Sequence, residues 1–218
     1  MPLDPTKQFP VMCLTQDALP LSHGEQAERL CAAGARWIQL RMKAATRDVW
    51  LTTARAVVAI CRAHGAVCIV NDDVEVALAS GAHGVHLGKL DLDWHEARRR
   101  LGPGKILGGT VNNSADAARA TDANCLDYVG VGPWRFTSNK KNLAPVLGPE
   151  GVRALVAQLG DLPAWAIGGI TAADLPAVRA TGAAGAAVSS ALYRDGHMEE
   201  NYRALAAAWE PVLQPSRS

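Results

Sequence analysis

The sequence predicts an eight-stranded parallel α/β barrel, the (β/α)8 or TIM-barrel fold, in a single domain. Three observations predict it. Apolar bursts recur near residues 11–15, 37–41, 67–72, 84–88, 105–110, 127–133, 164–170 and 185–192, continuous rather than alternating, as in strands covered on both faces. Stretches of helical spacing lie between them, without a linker or a change of composition. Nearly every burst ends in glycine or in a polar side chain, the pattern of a parallel barrel whose site opens at the C-terminal ends of its strands. A doubly wound open sheet is the competing architecture, and eight uninterrupted βα units favour closure.

The elements follow in order. VMCLT opens the series, and HGEQAERLCAAG (23–34) reads as a helix ending on a glycine cap. WIQLR ends on Arg41. TRDVWLTTARAVVAICRAHG (46–65) starts at a threonine cap and stops at Gly65. VCIVND ends on Asn71 and Asp72, and the short DVEVALASG (73–81) sets Val74, Ala77 and Leu78 on one side. GVHLGKLD runs out to Asp91 and is followed by DWHEARRRLG. KILGGT ends on Thr110 before NSADAARA, and DYVGVGP opens into WRFTSNKKN before GPEGVRALVAQLG. AWAIGGIT ends on glycines before TAADLPAVRATG, and GAAVSSAL carries Ser189 and Ser190 before MEENYRALAAAW.

The 218-residue length suits one domain with a sizeable core, with residues 1–10 and 212–218 expected as flexible tails. A net charge of +1 gives no global attraction to nucleic acid or to a membrane surface. No stretch approaches the roughly 20 apolar residues of a membrane span, and the N-terminus lacks the pattern of a signal peptide. The five cysteines form no CxxC pair, so buried reduced thiols and a cytoplasmic location are expected. The last helix is apolar enough either to close the barrel or to join a homo-oligomer.

The polar strand ends suggest chemistry. Asp72 and Asp91, at the ends of adjacent strands, bring two carboxylates to one rim, a donor set that suits Mg2+ completed by phosphate and water. Capping a helix is the simpler role for either one. Arg41, Lys43 and Lys140 converge on the same mouth with donors suited to a diphosphate. Gly168-Gly169 and Ser189-Ser190, after strands seven and eight, form a second anion site where backbone N–H groups approach a phosphate; a tight turn with packed serines is the alternative. Gln39 and Asn71 add amides able to hydrogen-bond a heterocycle. Together these features suggest two phosphorylated substrates joined while one loses diphosphate. The long 134–148 loop reads as a lid that excludes water. His86 reads as a packed residue, and the other histidines as surface residues. No Ser-His-Asp arrangement, GxGxxG or Walker loop stands out, which argues against hydrolase, nicotinamide and ATP chemistry.

The segments QLRMK (39–43), IVNDDVEVA (69–77), GVHLGKLD (84–91), GGT (108–110), DYVGVGPWRFTSNKKN (127–142), AIGGIT (166–171) and Ser189-Ser190 follow, in order, the motifs of the thiamine phosphate synthase family. The chain resembles that family over roughly residues 11–192. The resemblance implies a transferase that joins hydroxymethylpyrimidine diphosphate to thiazole phosphate, releasing diphosphate through a pyrimidine-methyl cation. It implies Gln39, Arg41, Lys43, Asn71, Thr110 and Lys140 as the pyrimidine-diphosphate site, with Arg41, Lys43, Thr110 and Lys140 the catalytic set. It implies Asp72 and Asp91 as magnesium ligands, and Thr137, Ser138, Asn139, Gly169, Ser189 and Ser190 as the thiazole-phosphate site.

Three positions depart from the family pattern. Asn139 stands where a hydroxyl is common, Lys89 where glutamine is frequent, and Asp73 where arginine or another residue often follows the Asn-Asp pair. The related thiazole tautomerase and a non-catalytic phosphometabolite-binding barrel are the rival readings. The combination of Asp72, Asp91, Lys43 and Lys140 argues for the synthase. A phosphosugar isomerase is disfavoured because no glutamate base stands at a strand end.

Overall fold

The computed structural model describes residues 9–17, 19–43, 45–136 and 145–210. Eight parallel strands close into a barrel in sequence order: β1 (Val11–Leu14), β2 (Trp37–Leu40), β3 (Val67–Asn71), β4 (Gly84–Leu87), β5 (Ile106–Val111), β6 (Tyr128–Val131), β7 (Ala164–Ile167) and β8 (Gly185–Val188). Closure is made by β8 on β1, with Val11 opposite Ala186 and Cys13 opposite Val188. The expected barrel is therefore the observed one. The strands end earlier than their apolar bursts, so Arg41, Asp72 and Ser189-Ser190 all stand just beyond the sheet.

Helices α1 (His23–Ala32), α2 (Arg47–Ala63), α3 (Val74–Ser80), α4 (Trp94–Leu101), α5 (Ser114–Ala123), α6 (Gly148–Leu159), α7 (Leu175–Ala180) and α8 (Met198–Trp209) surround the sheet. Several begin on side chains suited to the task. Ser22 and Glu25 form a reciprocal capping box at α1. Asp93 and Asn113 cap α4 and α5 by accepting from backbone N–H groups of the first turn. Helix α8 returns to the barrel rather than standing apart. Met198, Tyr202 and Leu205 are buried in the core, Tyr202 donates to the Gly34 carbonyl at 3.0 Å, and Arg29 pairs with Glu199 at 2.5 Å.

Two apolar regions hold the fold together. The larger lies between sheet and helices, with Leu30, Val57, Leu87, Val152 and Leu175 among its buried members. The smaller fills the barrel interior with residues that alternate along each strand, among them Met12, Trp37, Ile69, Tyr128 and Trp165. The rings of Trp37, Tyr128 and Trp165 meet edge to face, with centroids 4.7–5.8 Å apart. Such pairs add about 0.5–1.5 kcal/mol each beyond area burial. Room for these rings comes from glycine. A Cβ at Gly108 would lie 2.2 Å from the Tyr128 ring, and one at Gly185 would lie 2.2 Å from the Trp165 indole nitrogen. The result is a barrel plugged at the level of these aromatics and open above them.

Candidate active site

The inward alternation of the strands continues above the aromatic plug and becomes polar. Gln39 on β2, Asn71 on β3, His86 on β4 and Thr110 on β5 occupy successive inward positions, with Asn71 directly opposite His86 in the sheet register. They form the floor of a cavity of about 320 Å³ at the C-terminal mouth. Gln39, Asn71 and Thr110 are all buried.

The loop after β2 carries the cations. Arg41 accepts backbone anchorage from Thr15, whose hydroxyl takes the Arg41 N–H at 3.1 Å, and Asp17 takes the Lys43 N–H at 2.9 Å. His23 holds both anchors, with its ring nitrogens 2.8 Å from the Thr15 hydroxyl and 3.1 Å from the Asp17 carboxylate. His23 is buried, so the expectation of a surface residue is corrected: its place at the start of α1 hid its contacts with residues 15 and 17. The Lys43 ammonium reaches across to the carboxylate of Asp72.

Asp72 follows β3 in the left-handed backbone region, at φ 70°. That conformation is uncommon outside glycine, asparagine and aspartate. The next residue, Asp73, takes the capping duty for α3 by accepting from the Val76 N–H at 2.8 Å. Asp73 is thus a helix cap, and Asp72 faces the mouth. Asp91, in the loop after β4, accepts from the Gly88 N–H at 2.6 Å. Burial pushes the Asp91 carboxyl above the usual carboxylate range, and the charge of Asp72 pushes it the same way.

The side of the mouth formed by β7 and β8 is lined by Gly168, Gly169, Ser189 and Ser190. Gly168 and Gly169 have φ of 107° and 72°, closed to most side chains. Their missing Cβ atoms also admit the chain after β6: a Cβ at Gly168 would lie 2.8 Å from Pro133, and one at Gly169 2.4 Å from Arg135 Cγ. That chain then pairs with the end of β7, the Trp134 N–H donating to the Ile167 carbonyl at 2.8 Å. Arg135 is tied down by Asp174.

Ten of the fourteen site residues named from the sequence therefore share one mouth: Gln39, Arg41 and Lys43, Asn71, Asp72 and Asp91, Thr110 and Gly169, Ser189 and Ser190. Thr137, Ser138, Asn139 and Lys140 lie outside the described residues, as does most of the expected lid.

Comparison with known proteins decides the family. The model of a family described as thiamine monophosphate synthase matches residues 11–192. The chain belongs to the thiamine monophosphate synthase family. Thiamine-phosphate synthesis, a transferase activity, is its function. A thiamine-phosphate synthase of Bacteroides fragilis is 42% identical over 183 residues, spanning 82% of this chain and 89% of its own. One from Myxococcus xanthus is 42% identical over 202 residues, 92% of each chain. A solved thiamine phosphate pyrophosphorylase from Pyrococcus furiosus superposes with a TM-score of 0.87 at 29% identity, covering 97% of this chain and 100% of its own.

Within this member of the family, the motif reading under-rated one residue. His86 is not simply packed; it lines the cavity, with Nδ1 3.1 Å from the Tyr128 hydroxyl and Nε2 3.0 Å from the Thr110 hydroxyl. Alternation along GVHLG carried the signal, since Gly84 and His86 must share the inward face. The unusual Lys89 also lines the cavity and pairs with Asp116 at the start of α5. Among the described residues no helix is long and apolar enough to cross a membrane.

Proposed function

We propose that this synthase binds hydroxymethylpyrimidine diphosphate at the β2–β5 side of the mouth and thiazole phosphate at the β7–β8 side. The observation that supports it most is the juxtaposition of Lys43, Asp72 and Asp91 above a buried amide floor. Gln39 and Asn71 hydrogen-bond the pyrimidine ring. Arg41, Lys43 and Lys140 hold the diphosphate, with Thr110 adding a hydroxyl. Gly169, Ser189 and Ser190, together with Thr137, Ser138 and Asn139, take the thiazole phosphate.

The donor set fits magnesium. Asp72 and Asp91 are hard oxygen ligands close enough for one charge to raise the other's protonation, and a divalent cation relieves that repulsion. When bound there, Mg2+ supplies positive charge that stabilises the departing diphosphate. Arg41, Lys43 and Lys140 supply the rest of that stabilisation. The carbon–oxygen bond breaks with its electron pair leaving on the diphosphate. The thiazole nitrogen then gives its lone pair to the pyrimidine-methyl cation, forming the new carbon–nitrogen bond. The attacking thiazole nitrogen carries no proton, so a strong general base is not required.

All the residues this reading uses come from one chain, whether or not copies associate. A cytoplasmic location belongs to the proposal too, supported by five cysteines that are free thiols. The test is direct. Purified protein with both substrates and Mg2+ is expected to form thiamine phosphate and diphosphate in equal amounts, and chelation is expected to stop it. Intact substrates after prolonged incubation overturn the proposal.

A further inference from the structure

The barrel floor carries a chain of polar contacts whose middle members, Tyr128 and His86, have no part in the proposed roles. It begins beside Gln39, whose amide nitrogen lies 3.2 Å from the Met12 sulfur. Tyr128 is fully buried, so its O–H requires an acceptor. His86 Nδ1 stands 3.1 Å away. On the other side of the ring, Nε2 stands 3.0 Å from the Thr110 hydroxyl.

The direction of the chain follows from its buried end. His86 Nδ1 is the acceptor within hydrogen-bond distance of the buried phenol, so the phenol proton goes to it and Nδ1 must be bare. The neutral imidazole then carries its proton on Nε2 and donates it to Thr110 Oγ1. The Thr110 proton is released from any inward role and faces the mouth. Space for the ring is kept by Gly130, where a Cβ would lie 3.3 Å from His86 Cε1.

We infer that His86 is a positioning residue that orients the Thr110 hydroxyl as a hydrogen-bond donor toward the pyrimidine diphosphate, its own tautomer set by Tyr128. The inference rests on the substrate placement proposed above. It adds that the buried Tyr128 phenol determines which atom Thr110 presents.

Two measurements test it. Nitrogen-15 spectra of the histidine rings in the folded protein, without substrate, are expected to show His86 protonated on Nε2. Tyr128→Phe is expected to give a mixture of tautomers. This readout does not depend on turnover, so it stands apart from the substrate assignment. Protonation of His86 on Nδ1 in the unsubstituted protein overturns the inference.

The second measurement is kinetic. His86→Ala and Thr110→Ala are each expected to lower kcat/KM for the pyrimidine diphosphate about tenfold, the effect of one oriented hydrogen bond at a reacting group. KM for thiazole phosphate is expected to stay unchanged. The double variant is expected to be no worse than either single one, because both remove the same contact. His86→Gln, which retains a donor near the Nε2 position, is expected to recover most of the loss. Additive losses, or His86→Gln as impaired as His86→Ala with its fold intact, overturn the inference. An unsubstituted protein that turns over neither substrate overturns the substrate placement instead, and leaves the tautomer assignment to the spectra.

Discussion

Lys43 and Asp72, from the loops after adjacent strands β2 and β3, join across the rim of the barrel as an ion pair. Both side chains remain partly exposed, so the pair contributes little to stability, about 0–1 kcal/mol. Its significance is chemical. It keeps a cation and an anion side by side where a diphosphate and its metal would each claim one of them.

Asp91→Ala is expected to lower turnover at least about 100-fold while the protein stays folded, since it removes a proposed magnesium ligand and one loop hydrogen bond. Calorimetric titration with magnesium diphosphate, alongside thermal melting, checks it. Wild-type turnover in this variant overturns the metal assignment.

Neighbouring aspartates are expected to separate stability from activity. Asp73→Ala removes the α3 cap and is expected to cost about 1 kcal/mol, read from chemical denaturation, with magnesium affinity retained. Asp72→Asn suits the left-handed backbone at φ 70° and is expected to keep stability while weakening magnesium binding. A reversal of the two phenotypes shows that the roles are exchanged.

The pH dependence follows from Asp91. Its carboxyl is raised in the folded protein, first by burial and then by Asp72, so the native state holds its proton where the unfolded chain has lost it. The contribution of this group to stability therefore falls as pH climbs from the ordinary aspartate value through the raised one. A cation competes with that proton. The rise in Tm on adding Mg2+ is expected to be larger at neutral pH than near the ordinary carboxylate pKa, and an equal rise at both contradicts the account.

Gly108→Ala is expected to destabilise the fold by about 2–3 kcal/mol, because the new methyl overlaps the buried Tyr128 ring. Urea denaturation measures it. Gly104→Ala, which meets nothing within 4 Å, is the control and is expected to melt near the parent protein.

The barrel was legible because every strand of a closed parallel sheet is buried on both faces and must be apolar throughout its short length. The polar strand ends were legible for the complementary reason that such a core cannot hold unpaired polar groups. Individual roles were harder to read. Two adjacent aspartates, 72 and 73, look alike in a sequence, and only the backbone turn tells which caps the helix and which faces the mouth. Gly169 fits both a phosphate contact and a crossing chain, and the latter depends on Arg135 arriving from a different loop. His23 and His86 were under-rated because each acts through hydroxyls supplied by other segments, Thr15 for one and Thr110 for the other.

The aromatic plug of Trp37, Tyr128 and Trp165 makes the barrel a vessel with one door. Everything that enters must leave by the same way. On the placement proposed above, both substrates reach their sites through this one mouth. On the proposed placement, diphosphate that stays at the rim occupies the pyrimidine substrate's own anchor, so inhibition by that product, competitive with the pyrimidine substrate, is expected from the shape of the vessel.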